Sequence, residues 1–587
     1  MRQFFKFFSA SCLGTIVGLV LLVGLFFVIG SGIVSQMDKS VSVGPNSILE
    51  LTFEDAVPEK TNNLQDTPFE LSDKKYIGLN DYRIMIEHAA KDDRIKGILL
   101  RPDMTNMSMA EAAVLRKALS EFQESGKFIY AYGKFMTQNT YYLCSVADSV
   151  YLNPLGTLEF RGISADVTYF KKMLDKLGIG IDVFYAGQFK SATEPFRADH
   201  MSDANRVQLR AYIEDLFDIM LDDISTSRNK SKEELRAIAQ NWKTFDPDSA
   251  STSGLLDALL YEDQLTKRIK DRLGLETKED VPFIAAQDYY KSSVSKLDLS
   301  GKDKIALVFL EGEINIGKDE GGIITDDHYQ KILDKIAKDE KVKAVVLRVN
   351  SPGGSVLASE NILRGIRNIQ AKGIPIVVTM GRYAASGGYY ISCYADSIFA
   401  QPSTLTGSIG VFSLMPNFGP FLDQKIGITF DTVKTTDAST YFTGVYGLGD
   451  KEKQLMQGLT DGIYQDFLEK VAEGRKLSVD SVHQIAQGRV WTGKRAVENG
   501  LVDKLGYTED AIACAARMAS LEKYRIDEYP KTKDPLQRLL SKITGEEDAS
   551  APMVRKELGQ WYGYYEKMKS LRRLEGPQVR LPFLIEE

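Results

Sequence analysis

Ser386 lies in Gly381-Arg-Tyr-Ala-Ala-Ser-Gly-Gly-Tyr-Tyr390, directly after the apolar run Ile374-Pro-Ile-Val-Val-Thr-Met380. The run predicts a buried strand, and the Gly-Gly pair and two aromatics after the serine predict the start of a helix. A serine at such a turn holds its hydroxyl clear of the backbone, and the first helical amides, Gly387 among them, face the place where an oxyanion would form. Nucleophilic attack needs that geometry, although a Ser-Gly-Gly turn that merely caps a helix fits the same residues. Asn350-Ser-Pro-Gly-Gly-Ser355 follows another predicted strand, 344–349. Its Gly353 or Gly354 can aim a backbone N–H at the same carbonyl, or can simply form a Pro-Gly turn.

A serine nucleophile needs a base. The chain has four histidines, His88, His200, His328 and His483, and none is placed by sequence near Ser386. A Ser-His-Asp triad has no requirement for sequence proximity, so it stays open. Lysine is the other option, and Lys190 stands in Tyr185-Ala-Gly-Gln-Phe-Lys-Ser-Ala-Thr-Glu-Pro-Phe196 after a predicted strand at 181–184. An amine takes a proton only when neutral, which burial favours by penalising the ammonium. An exposed lysine reads equally well there from sequence alone.

The elements that must position these groups occur twice. Lys91-Asp-Asp-Arg-Ile-Lys-Gly-Ile-Leu-Leu-Arg101 recurs as Lys338-Asp-Glu-Lys-Val-Lys-Ala-Val-Val-Leu-Arg348, and Gly133-Lys-Phe-Met-Thr-Gln-Asn-Thr-Tyr-Tyr142 aligns without gaps on 381–390. Ala147-Asp-Ser149 falls on Ala395-Asp-Ser397, Ile238-Ala-Gln240 on Ile485-Ala-Gln487, and Gly254-Leu-Leu-Asp257 on Gly500-Leu-Val-Asp503. Matches that keep their order at a nearly constant spacing mark a duplicated domain. Short apolar strands alternating with helical stretches predict α/β layers around a largely parallel sheet in each half. The halves are not equivalent, because Gln138 stands where Ser386 stands and an amide cannot be the nucleophile.

A net charge of −7 with no basic stripe argues against nucleic acid as a partner. Cys12, Cys144, Cys393 and Cys514 form no CxxC pair, so neither a metal site nor a disulfide framework is read, and no cofactor motif is present. Arg2 and Lys6 precede an essentially uncharged run at 7–34, longer than the ~20 residues a membrane-spanning helix needs. The positive flank places the rest of the chain across the membrane. Ser31-Gly-Ile33 leaves a cleaved signal as the alternative. The expected organisation is a cytoplasmic N-terminus (1–9), a transmembrane anchor (10–34), a first α/β repeat (47–290) supplying the lysine, a second (304–525) supplying the serine, and a C-terminal appendage (526–587), expected to be helical.

Taken together, Gly-Gln-Phe-Lys-Ser-Ala-Thr-Glu-Pro-Phe, Ser-Pro-Gly-Gly-Ser, Ala-Ala-Ser-Gly-Gly-Tyr-Tyr and Ser403-Thr-Leu-Thr-Gly-Ser-Ile-Gly410 resemble the signal peptide peptidase A family, also called protease IV, in its long duplicated form. The resemblance runs from the anchor to about residue 525. It implies a tandem crotonase/Clp-like α/β fold and a Ser-Lys dyad, with Ser386 as nucleophile, Lys190 as general base and Ser408 orienting the amine. Gly354 and Gly387 are the expected oxyanion donors. It further implies a membrane-anchored endopeptidase on the periplasmic side of a bacterial inner membrane. Such an enzyme degrades apolar signal peptides left after secretion and assembles as a ring, expected to be a homotetramer. The competing readings are a crotonase-type acyl-CoA enzyme and a non-catalytic membrane scaffold.

Overall fold

The computed structural model describes residues 14, 18, 42–53, 57–61, 76–102, 105, 107–294, 301–318, 322–440, 443–531 and 577–581. The predicted anchor at 10–34 lies outside them, apart from Gly14 and Gly18. Among the described residues no helix is long and apolar enough to cross a membrane.

Each half is built on a largely parallel sheet, and the six-strand order of the first recurs within the eight-stranded second, which adds Leu405–Gly407 beside Tyr383–Ala385 and, antiparallel to it, Val490–Thr492. The first runs Ala258–Leu259, Ser149–Leu158, Phe128–Met136, Ile95–Arg101, Ser47–Thr52, Phe283–Ala285. The second runs Lys504–Leu505, Ser397–Ala400, Ile376–Ala385, Val342–Ser351, Lys304–Glu311, Arg525–Tyr529. The register repeats as well, since Phe135 pairs with Thr157 as Tyr383 pairs with Leu405. The last strand extends the second sheet beyond residue 525, where the sequence pattern ends.

The second sheet is apolar on both faces because both are covered, as parallel sheets require. In Lys304–Glu311 all six inner residues are buried. Side chains alternate across a strand. Ala306, Val308 and Leu310 join the core with Ile332, Leu333 and Ile336 of helix Asp326–Lys338 and with Ile362 and Ile366 of helix Val356–Gln370. Ile305, Leu307 and Phe309 pack with Ala511, Ile512 and Ala515 of helix Thr508–Met518 on the other side.

Two features lock the halves together. Glu59 of the first half receives Nε and Nη2 of Arg348, both at 2.9 Å, with both side chains almost wholly buried. The remaining Arg348 nitrogen donates to the Met380 carbonyl at 2.9 Å, so no charge in this bidentate pair is left without a partner. The other lock is a third sheet shared between the halves. In it Gly180–Ala186 of the first half pairs antiparallel with Val411–Asn417 of the second along its whole length. Gln578–Arg580 also joins this sheet, between Val411–Asn417 and Gly353–Ser355. The described residues of the appendage include the end of strand Arg525–Tyr529 and the strand Gln578–Arg580, while 532–576 and 582–587, where the expected helical stretch around 560–572 falls, lie outside the described set.

Candidate active site

Ser386 occupies the single position between strand Ile376–Ala385 and the turn of helix Gly387–Tyr390. Its backbone, at φ 56 and ψ −113, lies where side-chain-bearing residues are rare. The surroundings hold it there: its amide donates to the Gly407 carbonyl and its carbonyl accepts from the Tyr390 amide, both at 2.8 Å. Such over-determined strain is typical of functional turns. Ser408, also at positive φ, is fixed by its amide donating to the Arg489 carbonyl at 2.7 Å.

Lys190 arrives from the other half of the chain. It follows strand Gly180–Ala186, and the pairing of that strand with Val411–Asn417 carries it across. Its Nζ lies 2.9 Å from Ser386 Oγ, 3.1 Å from Ser408 Oγ and 3.1 Å from the Ser408 carbonyl oxygen. The side chain is 1% exposed. Burial holds the amine pKa well below the ordinary lysine range, with no carboxylate to offset it. A neutral amine in contact with a serine hydroxyl can take its proton.

The lysine loop rests on a buried polar network. Ser191 Oγ donates to Asn205 Oδ1 at 2.9 Å, and the Gln208 amide nitrogen donates to the Phe189 carbonyl and to Ser191 Oγ, both at 3.0 Å. Asn205 Nδ2 and Ser202 Oγ donate to the Glu194 carboxylate at 2.9 and 2.5 Å. Each member has a partner, so the network fixes the loop at no unpaired cost.

The glycines lie where the sequence places them. A Cβ on Gly387 would sit 3.1 Å from the Gly354 amide nitrogen, and one on Gly353 would sit 2.7 Å from the Gly387 amide nitrogen. Gly353 and Gly354 have φ of 98° and 158°. The Gly353 amide donates to Ser351 Oγ at 3.2 Å.

No histidine takes the place of the lysine. His88 bonds Tyr289, His483 bonds Tyr464, His200 lies against Asp199 and His328 meets the Tyr329 ring edge-on. Among the described residues no cluster could hold a metal ion, and Cys144, Cys393 and Cys514 are buried free thiols. In the first half, the Gln138 carbonyl oxygen accepts from the Arg161 and Gly162 amides at 3.0 and 2.9 Å. Buried Phe160 stands at the counterpart of Ser408, so amide and ring fill the space that holds polar groups in the second half.

The sequence reading missed Gly488. Its φ is +76°, and a Cβ there would lie 2.6 to 2.7 Å from the Lys190 backbone nitrogen, Cα and Cβ. The duplication carried the signal, because Ile485-Ala-Gln-Gly488 aligns on Ile238-Ala-Gln-Asn241 and only the second copy has glycine. The Glu194 network and Glu59 were missed for a different reason, since buried polar residues carry no periodic pattern.

The model of Peptidase family S49 matches residues 121–276 and again 368–522, one match in each half. This chain belongs to peptidase family S49. It is 38% identical to Protease 4 of Salmonella typhi over 475 residues, covering 79% of this chain and 76% of that protein. Protease 4 of Haemophilus influenzae is 34% identical over 79% of this chain and 77% of its own length. The chloroplastic Serine protease SPPA of Arabidopsis thaliana is 30% identical over 78% and 68%. As an S49 member the chain is a serine peptidase with peptide substrates, built from two S49 repeats in a mixed α/β fold.

Proposed function

We propose that this S49 peptidase works through a Ser386–Lys190 dyad. The observation that carries the reading is the buried Lys190 amine, 2.9 Å from Ser386 Oγ, with its pKa pushed well below the ordinary lysine range by burial. The amine takes the Ser386 proton as Oγ attacks the scissile carbonyl carbon. The amides of Gly354 and Gly387 receive the developing oxyanion. The ammonium then protonates the departing amine, and the neutral lysine activates a water to release the acyl group. Ser408, bonding Nζ through both hydroxyl and carbonyl, aims the amine at Ser386. Replacing Ser386 by Ala should abolish peptide hydrolysis and fluorophosphonate labelling by the detergent-solubilised chain; activity within about tenfold of wild type would exclude this serine as nucleophile.

The substrates proposed are apolar signal peptides left in the membrane. The uncharged run behind Arg2 and Lys6 supports an enzyme tethered by one helix, with its catalytic part on the periplasmic side of a bacterial inner membrane. Each half follows the crotonase/Clp-like plan that the motifs imply.

The ring assembly is also proposed, and an internal asymmetry supports it. In the first half, helix Lys171–Leu177 ends at left-handed Gly178, and strand Gly180–Ala186 follows and finds its partner in Val411–Asn417. In the second half, Gly427, also left-handed, ends the corresponding turn of helix, but the extended residues after it are exposed and unpaired. The first-half counterpart of Val411–Asn417, residues 163–169, is likewise extended and unpaired, with exposure alternating residue by residue. Each chain thus carries one unused arm and one unused edge. Pairing them between neighbours repeats the contact already made within the chain and closes a ring, of four subunits on the family pattern.

A further inference from the structure

Glu59 meets the second half on the strand that leads into Ser386. A Cβ on Gly381 would lie 2.6 Å from Glu59 Oε1 and 3.0 Å from Cβ and Cγ of Asn350, so the glycine leaves the room that both side chains fill. The pairing of Val342–Ser351 with Ile376–Ala385 is interrupted at this point. Val349 lies opposite Met380 and Ser351 opposite Ala384, so Asn350 alone faces Gly381, Arg382 and Tyr383. A bulge bends its strand and re-aims the residues after it. Here Ala384, Ala385 and Ser386 follow on one strand, and Ser351 and the Gly353–Gly354 segment on the other.

Buried polar groups fasten the bulge. Asn350 Oδ1 accepts from the Tyr383 amide at 3.1 Å, and Arg348 donates to the Met380 carbonyl at 2.9 Å and to Thr379 Oγ1 at 3.3 Å. Arg348 is itself held by the Glu59 carboxylate, and the Glu59 amide donates to Glu311 Oε1 at 3.0 Å on the neighbouring strand. The next residue, Lys60, donates to the Pro530 carbonyl, so the segment is tied to the second half at consecutive residues. The first half has a different arrangement at the same place. Arg101, the counterpart of Arg348, pairs with Glu50 and Glu262 of its own half, and Leu307 holds the register position of Glu50 in the second. There Ile95–Arg101 and Phe128–Met136 pair only as far as Leu100 and Ala131, and Met136 closes over Gly133, its side chain 2.9 Å from where a Cβ would stand. The half without the brace is the half without the serine.

We infer that Glu59 is a positioning residue for the reaction: acting through Arg348, it fixes the bulge that sets Ser386 against Lys190 and keeps the Gly353–Gly354 segment beside the serine. The inference rests on the dyad reading above. It gives the first half a second part in the chemistry, because Lys190 and Glu59 both come from that half and meet the second at separate places. The site is therefore complete only where the halves are docked along both contacts.

The test compares wild type, Glu59→Gln, Gly381→Ala and the double variant Glu59→Met with Arg348→Met, each as the full chain purified in detergent. Tm, kcat and KM on an apolar peptide, and the rate of fluorophosphonate labelling are measured, the kinetics well below Tm. Glu59→Gln leaves a buried guanidinium without its counter-charge and should lower Tm. Its kcat should fall about 100-fold, as for a displacement of about 1 Å at the nucleophile, with labelling slowed in parallel and KM within about threefold of wild type. The double variant removes both charges and should regain most of the lost Tm, since an apolar pair replaces a buried ion pair at little cost. Its kcat should stay low, because the Met380 carbonyl has lost its donor. Gly381→Ala keeps both charges and displaces only the Glu59 carboxylate and Asn350, so it should fold and lose about tenfold or more in kcat. A Glu59 that served stability alone would lower Tm and leave kcat of the folded enzyme within about threefold of wild type. That result in Glu59→Gln, or in either of the other variants should Glu59→Gln not fold, overturns the inference. Ser386→Ala run alongside separates the two readings: if it is inactive while these variants keep wild-type kcat, only the role of Glu59 falls, and if it hydrolyses peptide the dyad falls first.

Discussion

Substituting Gly488 by Ala tests whether the lysine is held in place by backbone packing. The new Cβ would meet the Lys190 nitrogen, Cα and Cβ at 2.6 to 2.7 Å. Carbon atoms rest at about 3.5 to 4.0 Å, so the lysine loop must retreat by about 1 Å. It cannot swing freely, because the Phe189 amide bonds the Gln487 carbonyl at 2.8 Å and Gln208 holds the Phe189 carbonyl from the other side. The +76° φ adds about 1 to 2 kcal/mol of strain for any residue with a Cβ, and overpacking adds about 1 to 3 kcal/mol. Displacing a proton acceptor by about 1 Å costs on the order of 100-fold in rate. The expected result is a kcat/KM lowered about 100-fold, a lower Tm, and fluorophosphonate labelling slowed in parallel. A variant that loses several degrees of Tm but keeps kcat/KM within about threefold would refute the reasoning, because the lysine would then tolerate the displacement.

Gln138→Ala should leave peptide hydrolysis near wild type and cost at most a few kcal/mol, since it removes the acceptor for the Arg161 and Gly162 amides; hydrolysis lost as deeply as in Ser386→Ala would mean the first copy takes part in the chemistry. Activity should rise with pH through the lowered pKa of Lys190, and Lys190→Arg should be inactive because a guanidinium keeps its proton; an active arginine variant would remove the base assignment. Burial of Lys190 also sets a stability slope. Between its lowered folded pKa and the ordinary 10.5, the unfolded chain binds the extra proton, so stability rises with pH across that window. Lys190→Met should therefore raise Tm most at and below neutral pH, with the gain shrinking toward pH 10.5, and a gain independent of pH would contradict the burial argument.

The strands that carry the site were legible because parallel strands covered on both faces are written as short apolar runs. Those predicted at 181–184, 344–349 and around 374–380 appear as Gly180–Ala186, Val342–Ser351 and Ile376–Ala385. The turn at Ser386 was legible because small residues and glycine leave few alternatives there. The burial that lowers the pKa of Lys190 was not, since it depends on which surfaces close over the amine, and those come from a strand pairing more than two hundred residues away in sequence. Glu59 shows the same limit: its partner Arg348 lies in the other half, and a lone glutamate in a polar segment gives no sign of burial. The C-terminal strand escaped because Pro577-Gln-Val-Arg-Leu581 is too short for periodicity, and one of its two partners is a glycine segment that has no strand signature of its own.

The ring proposal can be taken to single residue pairs, because the duplication supplies the register. Within the chain Val411 pairs with Ala186 and Ser413 with Phe184. Residues 163–169 align on 411–417 through the Phe135–Thr157 and Tyr383–Leu405 pairs, and the arm aligns through Gly178 and Gly427, each left-handed at the end of its helix. The equivalent of the Ser413–Phe184 pair is then Ala165 of one chain against Val433 of the next. Val433 is 100% exposed, with nothing in its own chain to cover it. Directly opposed residues of an antiparallel pair have Cα atoms about 4.5 to 5.5 Å apart, within the range a disulfide spans. Ala165→Cys with Val433→Cys in one chain should therefore cross-link under mild oxidation into a ladder that ends at the closed ring, with four rungs expected. With Cys12 replaced by Ser throughout, either single variant should stay uncrosslinked, because the remaining native thiols, Cys144, Cys393 and Cys514, are buried. A double variant that remains monomeric on a denaturing gel, while the native protein sediments as an oligomer, would show that the ring uses another contact and that the exposed arm serves some different partner.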